Sequence, residues 1–101
     1  YKKNIDDYRE SPSLKIIRKL KNLRFSVSFH DRFIPIITEN REYKDLVGMR
    51  SVKLLKKNYK KYDLTIILTD HDYLNFNEIS KFSNKIIDTR NAIKNPDKII
   101  L

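Results

Sequence analysis

The sequence predicts an α/β domain whose mainly parallel sheet is covered by helices in three layers. Apolar, β-branched or alternating composition marks three strands, at 25–29, 63–68 and 85–88. Helical spacing or amphipathic composition marks three helices, at 12–22, 55–61 and 76–82. Strands that alternate with helices form parallel sheets with helices on both faces. We therefore expect one such domain over residues 1–101, with helix 12–22 packed on its sheet.

The first helix has both a start signal and an apolar stripe. Ser11 followed by Pro12 is a typical helix start, because the hydroxyl can cap free N–H groups and proline loses no hydrogen bond there. Apolar residues then recur at nearly helical spacing, at Leu14, Ile17, Leu20 and Leu23. This pattern predicts an amphipathic helix of roughly three turns.

The strands differ in pattern. Apolar and polar residues alternate in segment 25–29, which predicts Phe25, Val27 and Phe29 on one face of the strand. Segment 63–68 is nearly continuously apolar, which predicts burial on both faces. Weaker patterns indicate an excursion over 38–49, a short strand over 51–54 and a last strand over 99–101.

Composition limits the classes of function. The 101 residues suffice for one domain with a modest core. The absence of cysteine excludes disulfides, thiolate metal sites and a cysteine nucleophile within this chain. No apolar run approaches the ~20 residues that span a bilayer, and no signal peptide is visible, so we expect a cytoplasmic protein without a membrane partner.

The net charge of +9 raises the question of a polyanionic partner. The densest basic stretch, 56–61, is most simply the solvent-exposed face of a short helix, and we expect no nucleic-acid partner. The competing hypothesis is a stand-alone basic α/β module that binds nucleic acid or a protein.

Arg90 is the strongest candidate binding residue, because it follows the predicted strand 85–88. Ligands of open α/β sheets bind at the carboxyl ends of the strands, and an arginine there can bind a phosphate bidentately. The alternative is a surface arginine paired with Asp88 or Asp97. His71 could be a metal ligand or an acid/base, but loop hydrogen bonding explains it more simply. We predict no metal site and no catalytic residue in this chain.

Three motifs resemble one enzyme family. Residues 1–12, Tyr-Lys-Lys-Asn-Ile-Asp-Asp-Tyr-Arg-Glu-Ser-Pro, resemble the motif that opens the C-terminal domain of the UDP-glucose/GDP-mannose dehydrogenases. Thr69-Asp70-His71 and Asp88-Thr89-Arg90-Asn91 resemble two later motifs in the right order. Arg41-Glu42-Tyr43, taken with Thr69-Asp70-His71, is more similar to the UDP-N-acetylhexosamine 6-dehydrogenases.

The resemblance implies a Rossmann-like UDP-binding domain of an enzyme that oxidises a sugar C6 alcohol to a carboxylate. Such enzymes work in two NAD-dependent steps through a cysteine thioester, and the parent would be a homodimer or higher oligomer. Tyr1, Lys2 and Arg90 match residues that contact the UDP-sugar. Arg9 matches an arginine that reaches NAD across the domain cleft.

The chain also departs from the family pattern. The catalytic cysteine, its partners and the glycine-rich NAD loop are absent, so this segment alone should be inactive. Arg32 stands where the family often has proline, which affects only a local turn. The strand expected before Tyr1 is absent as well. We therefore expect a fragment of a longer enzyme, with a gap or exposed edge beside a central strand.

Overall fold

A computed structural model describes residues 12–94 and residue 101 of the chain. By its internal contacts the chain divides into two compact units, Tyr1–Lys53 and Leu54–Leu101. Each unit has its own hydrophobic core. No helix in the described part of the chain is long and apolar enough to cross a membrane.

The first unit contains helix α1, Pro12–Asn22, with the predicted bounds. Leu14 and Ile17 of its apolar stripe are buried. They share a core with four residues from the following segment, Ile34, Ile37, Tyr43 and Leu46. The predicted apolar stripe extended one residue beyond the end of the helix, because Leu23 follows Asn22 and is 68% exposed.

Helix α1 ends in a Schellman motif built on a non-glycine residue. Phe25 N donates to Leu20 O at 3.1 Å, and Arg24 N donates to Lys21 O at 2.9 Å. This pair of bonds satisfies carbonyls at the end of the helix but requires a left-handed residue, and Arg24 has φ 70°. A side chain with a Cβ is strained in that region, where glycine is not.

Arg24→Gly should therefore stabilise the first unit by about 0.5–1 kcal/mol, the left-handed penalty less the extra chain entropy of glycine. Denaturant unfolding followed by circular dichroism measures this change. Arg24→Ala is the control, because it keeps the Cβ and should not raise stability. An equal gain in both variants would show that the charge or the long side chain was the cause.

The predicted strand at 25–29 is wrong. This segment forms no strand in the described structure, and its closest approach to a ladder is a hydrogen bond from Val52 N to Phe29 O of 2.8 Å. Val27 and Phe29 pack against the first core as the alternation implied, but Phe25 is 60% exposed. The alternation of apolar and polar residues therefore indicated an extended segment buried on one side, but it did not identify a strand that pairs with it. The short strand predicted at 51–54 is not formed either.

The predicted excursion is an ordered loop over 38–49. Asn40 Oδ1 accepts hydrogen bonds from the backbone N–H groups of Glu42 and Tyr43, at 2.9 and 3.1 Å. A 3-10 helix, Lys44–Leu46, follows and buries Leu46 completely. Gly48 then turns the chain at φ 96°.

Arg18 ties helix α1 to this loop. Its Nη2 lies 2.5 Å from Asp45 Oδ1 and also donates to the carbonyl of Glu42. The guanidinium carbon lies 4.3 Å from the centroid of the Tyr43 ring. The hydrogen bond from Arg18 lowers the pKa of the Asp45 carboxyl below its ordinary value of 3.8.

A group whose pKa falls on folding stabilises the folded state above its unfolded pKa, and this contribution is lost as the pH drops through the folded pKa. We therefore expect Asp45 to titrate below 3.8 in an NMR pH titration. Arg18→Gln should return the pKa of Asp45 towards that ordinary value. Lys15→Gln removes the same charge from α1 without removing the hydrogen bond, and should leave the pKa of Asp45 nearly unchanged.

The second unit is a βαβ arrangement preceded by a short helix. Helix α2 is Lys56–Lys61, strand β1 is Leu64–Ile67, helix α3 is Phe76–Phe82 and strand β2 is Lys85–Asp88. The two strands are parallel, with Leu64 opposite Lys85 and Ile67 opposite Asp88. The core residues are Tyr59, Ile67, Ile79, Ile86 and Ile93. The predicted parallel pairing of these two segments is confirmed.

Strand β1 is less buried than its composition indicated. Of its four residues only Ile67 is buried, and Leu64 is 41% exposed. Helix α3 begins as its sequence indicates, because Asn75 accepts a hydrogen bond from Glu78 N at 3.0 Å. Because segment 25–29 forms no strand, the described sheet has two strands, β1 and β2, which is one fewer than predicted.

Strand β2 also bonds to the last residue of the chain. Leu101 N donates to Ile86 O at 3.0 Å, and Leu101 O accepts from Asp88 N at 2.8 Å. These are the two bonds that a parallel neighbour of Ile87 would make. The remaining residues of the predicted last strand, 99 and 100, lie outside the described part.

Candidate functional site

The carboxyl ends of β1 and β2 bring two of the sequence motifs together. Asp70 lies three residues beyond β1, and Arg90 lies two residues beyond β2. Because the strands are parallel and adjacent, both side chains lie at the same edge of the sheet. Arg90 Nη2 is 3.3 Å from Asp70 Oδ1.

Two side chains fix the backbone that carries Arg90. Asp88 accepts from Arg90 N with Oδ1 at 3.1 Å and from Ile93 N with Oδ2 at 2.9 Å. Thr89 donates to the carbonyl of Ile67 twice, from its N–H at 3.1 Å and from its hydroxyl at 2.6 Å. The turn is therefore locked onto both strands. These hydrogen bonds explain why an aspartate and a threonine precede the arginine in the sequence.

The contact of Arg90 with Asp70 is an ion pair of one nitrogen with one oxygen. Asp70 Oδ1 is buried, and within the described residues it accepts no hydrogen bond, because the 3.3 Å approach of Nη2 lacks hydrogen-bond geometry. The two side chains are 39% and 30% exposed, for Arg90 and Asp70 respectively. The guanidinium therefore keeps N–H groups that are not used by Asp70.

Of the two alternative partners predicted for Arg90, the structure tests only Asp88. The Asp88 carboxylate binds backbone N–H groups, and Asp97 lies outside the described residues. Sequence reasoning missed the pairing with Asp70. The signal was available, because both motifs directly follow strands predicted to be parallel.

The described histidines, His30 and His71, both have contacts within the fold. His71 is 2% exposed, and its ring is stacked on Tyr73 with centroids 5.7 Å apart. Its backbone carbonyl accepts from Leu74 N at 3.2 Å. His30 Nδ1 lies 2.6 Å from the carbonyl of Val52. Among the described residues no three His, Asp or Glu side chains are grouped to hold a metal ion.

The Arg41-Glu42-Tyr43 segment lies in the loop of the first unit. Tyr43 is buried beneath Arg18, and Glu42 contributes its carbonyl to the same arginine. Arg41 lines an open cavity of about 310 Å³ together with Glu39, Asn40, Lys44 and Val47. Tyr43 therefore has a structural role, whereas the side chains of Arg41 and Glu42 are exposed.

The other predicted site residues lie outside the described part of the chain. These are Tyr1, Lys2 and Arg9. Their contacts with the UDP-sugar and NAD remain predictions. The described part supplies one of the four predicted binding residues, Arg90, at the predicted edge of the sheet.

The fold is that of a small α/β domain, and Arg90 lies at the carboxyl ends of its parallel strands, where open α/β sheets bind their ligands. Comparison with known families makes the class specific. The UDP binding domain of the UDP-glucose/GDP-mannose dehydrogenase family matches residues 1–95. The chain belongs to this family, as its three motifs indicated.

A curated relative supports the same assignment. The chain is 35% identical to a UDP-N-acetyl-D-mannosamine dehydrogenase of Methanocaldococcus jannaschii, over 92% of this chain. The matched region is 21% of that relative, so the chain spans about a fifth of its length. No solved structure matches the chain.

Proposed function

We propose that this chain is the UDP-binding domain of an NAD-dependent UDP-sugar 6-dehydrogenase, which oxidises a C6 alcohol to a carboxylate. The proposed substrate is UDP-N-acetylglucosamine or a related UDP-N-acetylhexosamine. The name of the archaeal relative and the Arg41-Glu42-Tyr43 motif support an N-acetylhexosamine. The observation that carries the proposal is Arg90, held at the carboxyl ends of two parallel strands within the segment that matches the family.

The proposed role of this chain is to bind and orient the nucleotide. Arg90 would bind the diphosphate through a planar fork of N–H donors, and Lys2 would add a point charge. Tyr1 would contact the substrate beside Lys2. These residues break no bond, because the chain has no cysteine to form the thioester.

The cofactor would be bound mainly by another domain. The only glycine of the chain, Gly48, lies in the turn after a 3-10 helix. A dinucleotide loop needs several glycines between a strand and a helix, so this chain does not fit that part of NAD. Arg9 is the one residue that we assign to NAD, and no step of the reaction is assigned to it. The parent enzyme would be a homodimer or higher oligomer.

The competing function, a basic module for nucleic acid, has one observation in its favour. Three lysine ammonium groups surround the ring of Phe82, Lys56 at 5.4 Å, Lys81 at 5.6 Å and Lys60 at 5.8 Å from its centroid. These lysines lie on α2 and α3, and their ammonium groups form a basic surface around the Phe82 ring.

Titration calorimetry of the full-length protein with UDP tests the proposal. We expect saturable binding of UDP, and much weaker binding of a single-stranded oligonucleotide that falls steeply with added salt. Oxidation of UDP-N-acetylhexosamines with reduction of NAD then tests the reaction. The proposal fails if UDP does not bind, and tight oligonucleotide binding in that case would favour the basic module.

A further inference from the structure

We propose that Asp70 is a positioning residue for Arg90. Its carboxylate holds the guanidinium at one terminal nitrogen and leaves the remaining N–H groups to the ligand diphosphate. This inference rests on the proposed function, because it takes Arg90 as the residue that binds the diphosphate.

The burial of Asp70 Oδ1 explains why Arg90 stays in place. That oxygen is shielded from water, and Arg90 Nη2 at 3.3 Å is the one cation placed against it within the described residues. A buried carboxylate oxygen without a partner is costly. A ligand that moved Arg90 away would leave this buried oxygen without its cation, which is energetically unfavourable. Binding is therefore favoured when the guanidinium stays against Asp70.

The guanidinium has donors to spare for this purpose. It carries five N–H groups in a rigid fork, and one terminal nitrogen faces Asp70. The side chain is 39% exposed, so donors remain accessible to a phosphate. One arginine can thus bind a buried carboxylate and a ligand phosphate at the same time.

The rest of the turn is already rigid, which isolates the role of Asp70. Asp88 and Thr89 fix the backbone on either side of Arg90 through four hydrogen bonds to β1 and to the turn itself. The freedom that remains is that of the arginine side chain. Ordering a long side chain on binding weakens affinity. Because Asp70 already orders the Arg90 side chain, we expect it to lower the Kd for UDP by roughly three- to tenfold.

Electrostatics alone predicts the opposite sign. A carboxylate beside a bound diphosphate repels it, so removing the charge would tighten binding if Asp70 had no positioning role. The direction of the change therefore distinguishes the two roles.

The test is calorimetric titration of UDP into the full-length protein and its variants. Asp70→Ala should weaken UDP binding roughly three- to tenfold. Asp70→Asn keeps an oxygen acceptor in the same place and should weaken binding less. Asp63→Ala, which removes the same charge from an exposed residue just before β1, should leave the Kd unchanged. If Asp70→Ala does not fold by circular dichroism, Asp70→Asn decides the sign.

The Arg90→Ala background separates this inference from the proposed function. There, Asp70→Ala should produce no further weakening, because no guanidinium remains to be positioned. Unchanged or tighter binding in the single Asp70 variants overturns the inference, as does an equal loss with and without Arg90. If Arg90→Ala itself binds UDP normally, the proposed function of Arg90 fails instead.

Discussion

Replacing Arg90 with alanine should weaken UDP binding by roughly ten- to a hundredfold or more, because a charge-assisted hydrogen bond contributes about 1.5–3 kcal/mol. The loss should fall mainly on affinity, since the proposed role of Arg90 is to bind the diphosphate and involves no bond chemistry. Turnover falls as well if the substrate tilts, because a misplacement of about 1 Å can cost ~100-fold. Calorimetric titration of UDP into the full-length protein measures the affinity directly.

Arg90→Lys refines this prediction. A lysine keeps the positive charge but lacks the planar fork, so it should recover only part of the lost affinity. Lys85→Ala is the matched control, because it removes a positive charge from the opposite end of β2. Unchanged UDP affinity in Arg90→Ala would leave Arg90 as an ordinary surface charge paired with Asp70.

Ile86→Ala should cost the second unit about 2–5 kcal/mol, the range for truncating a fully buried isoleucine. Ile86 is 1% exposed and lies in the core with Ile67 and Ile79. It is also opposite Thr65 in the parallel pair, so the cavity would form beside the paired strands β1 and β2. Amide hydrogen exchange of β1 and β2 measures the opening of this sheet.

Two neighbouring variants calibrate the result. Ile86→Val leaves a smaller cavity and should cost about 0.5–1.5 kcal/mol. Lys85→Ala changes the adjacent exposed residue of the same strand and should stay within about 0.5 kcal/mol. Equal exchange rates in Ile86→Ala and Lys85→Ala would contradict the burial of Ile86.

Local patterns predicted the elements that are stabilised by their own residues. Pro12 and the spacing of Leu14 and Ile17 determined α1, and its bounds agree with the structure. The apolar runs at 64–67 and 85–88, joined by a helix, determined the parallel pair. A helical repeat and a βαβ spacing depend on neighbours in sequence, so one chain suffices to recognise them.

The end of α1 shows the limit of local reasoning. The apolar stripe continues to Leu23, but the helix stops at Asn22 because Arg24 adopts a left-handed conformation. Glycine would have signalled this stop, whereas arginine in that position carries no signal. The chain accepts the strain because the two hydrogen bonds at the helix end compensate for part of it.

Tertiary contacts decided the fate of segment 25–29 and the partner of Arg90. Alternation determined that Val27 and Phe29 would be half-buried, but a strand also needs a neighbouring backbone, and the pattern does not specify one. The motif placed Arg90 after a strand, but Asp70 is 20 positions away and reaches it only because β1 and β2 are adjacent and parallel. The sequence determined which residues stand at the ends of the strands, and strand pairing determined which of them meet.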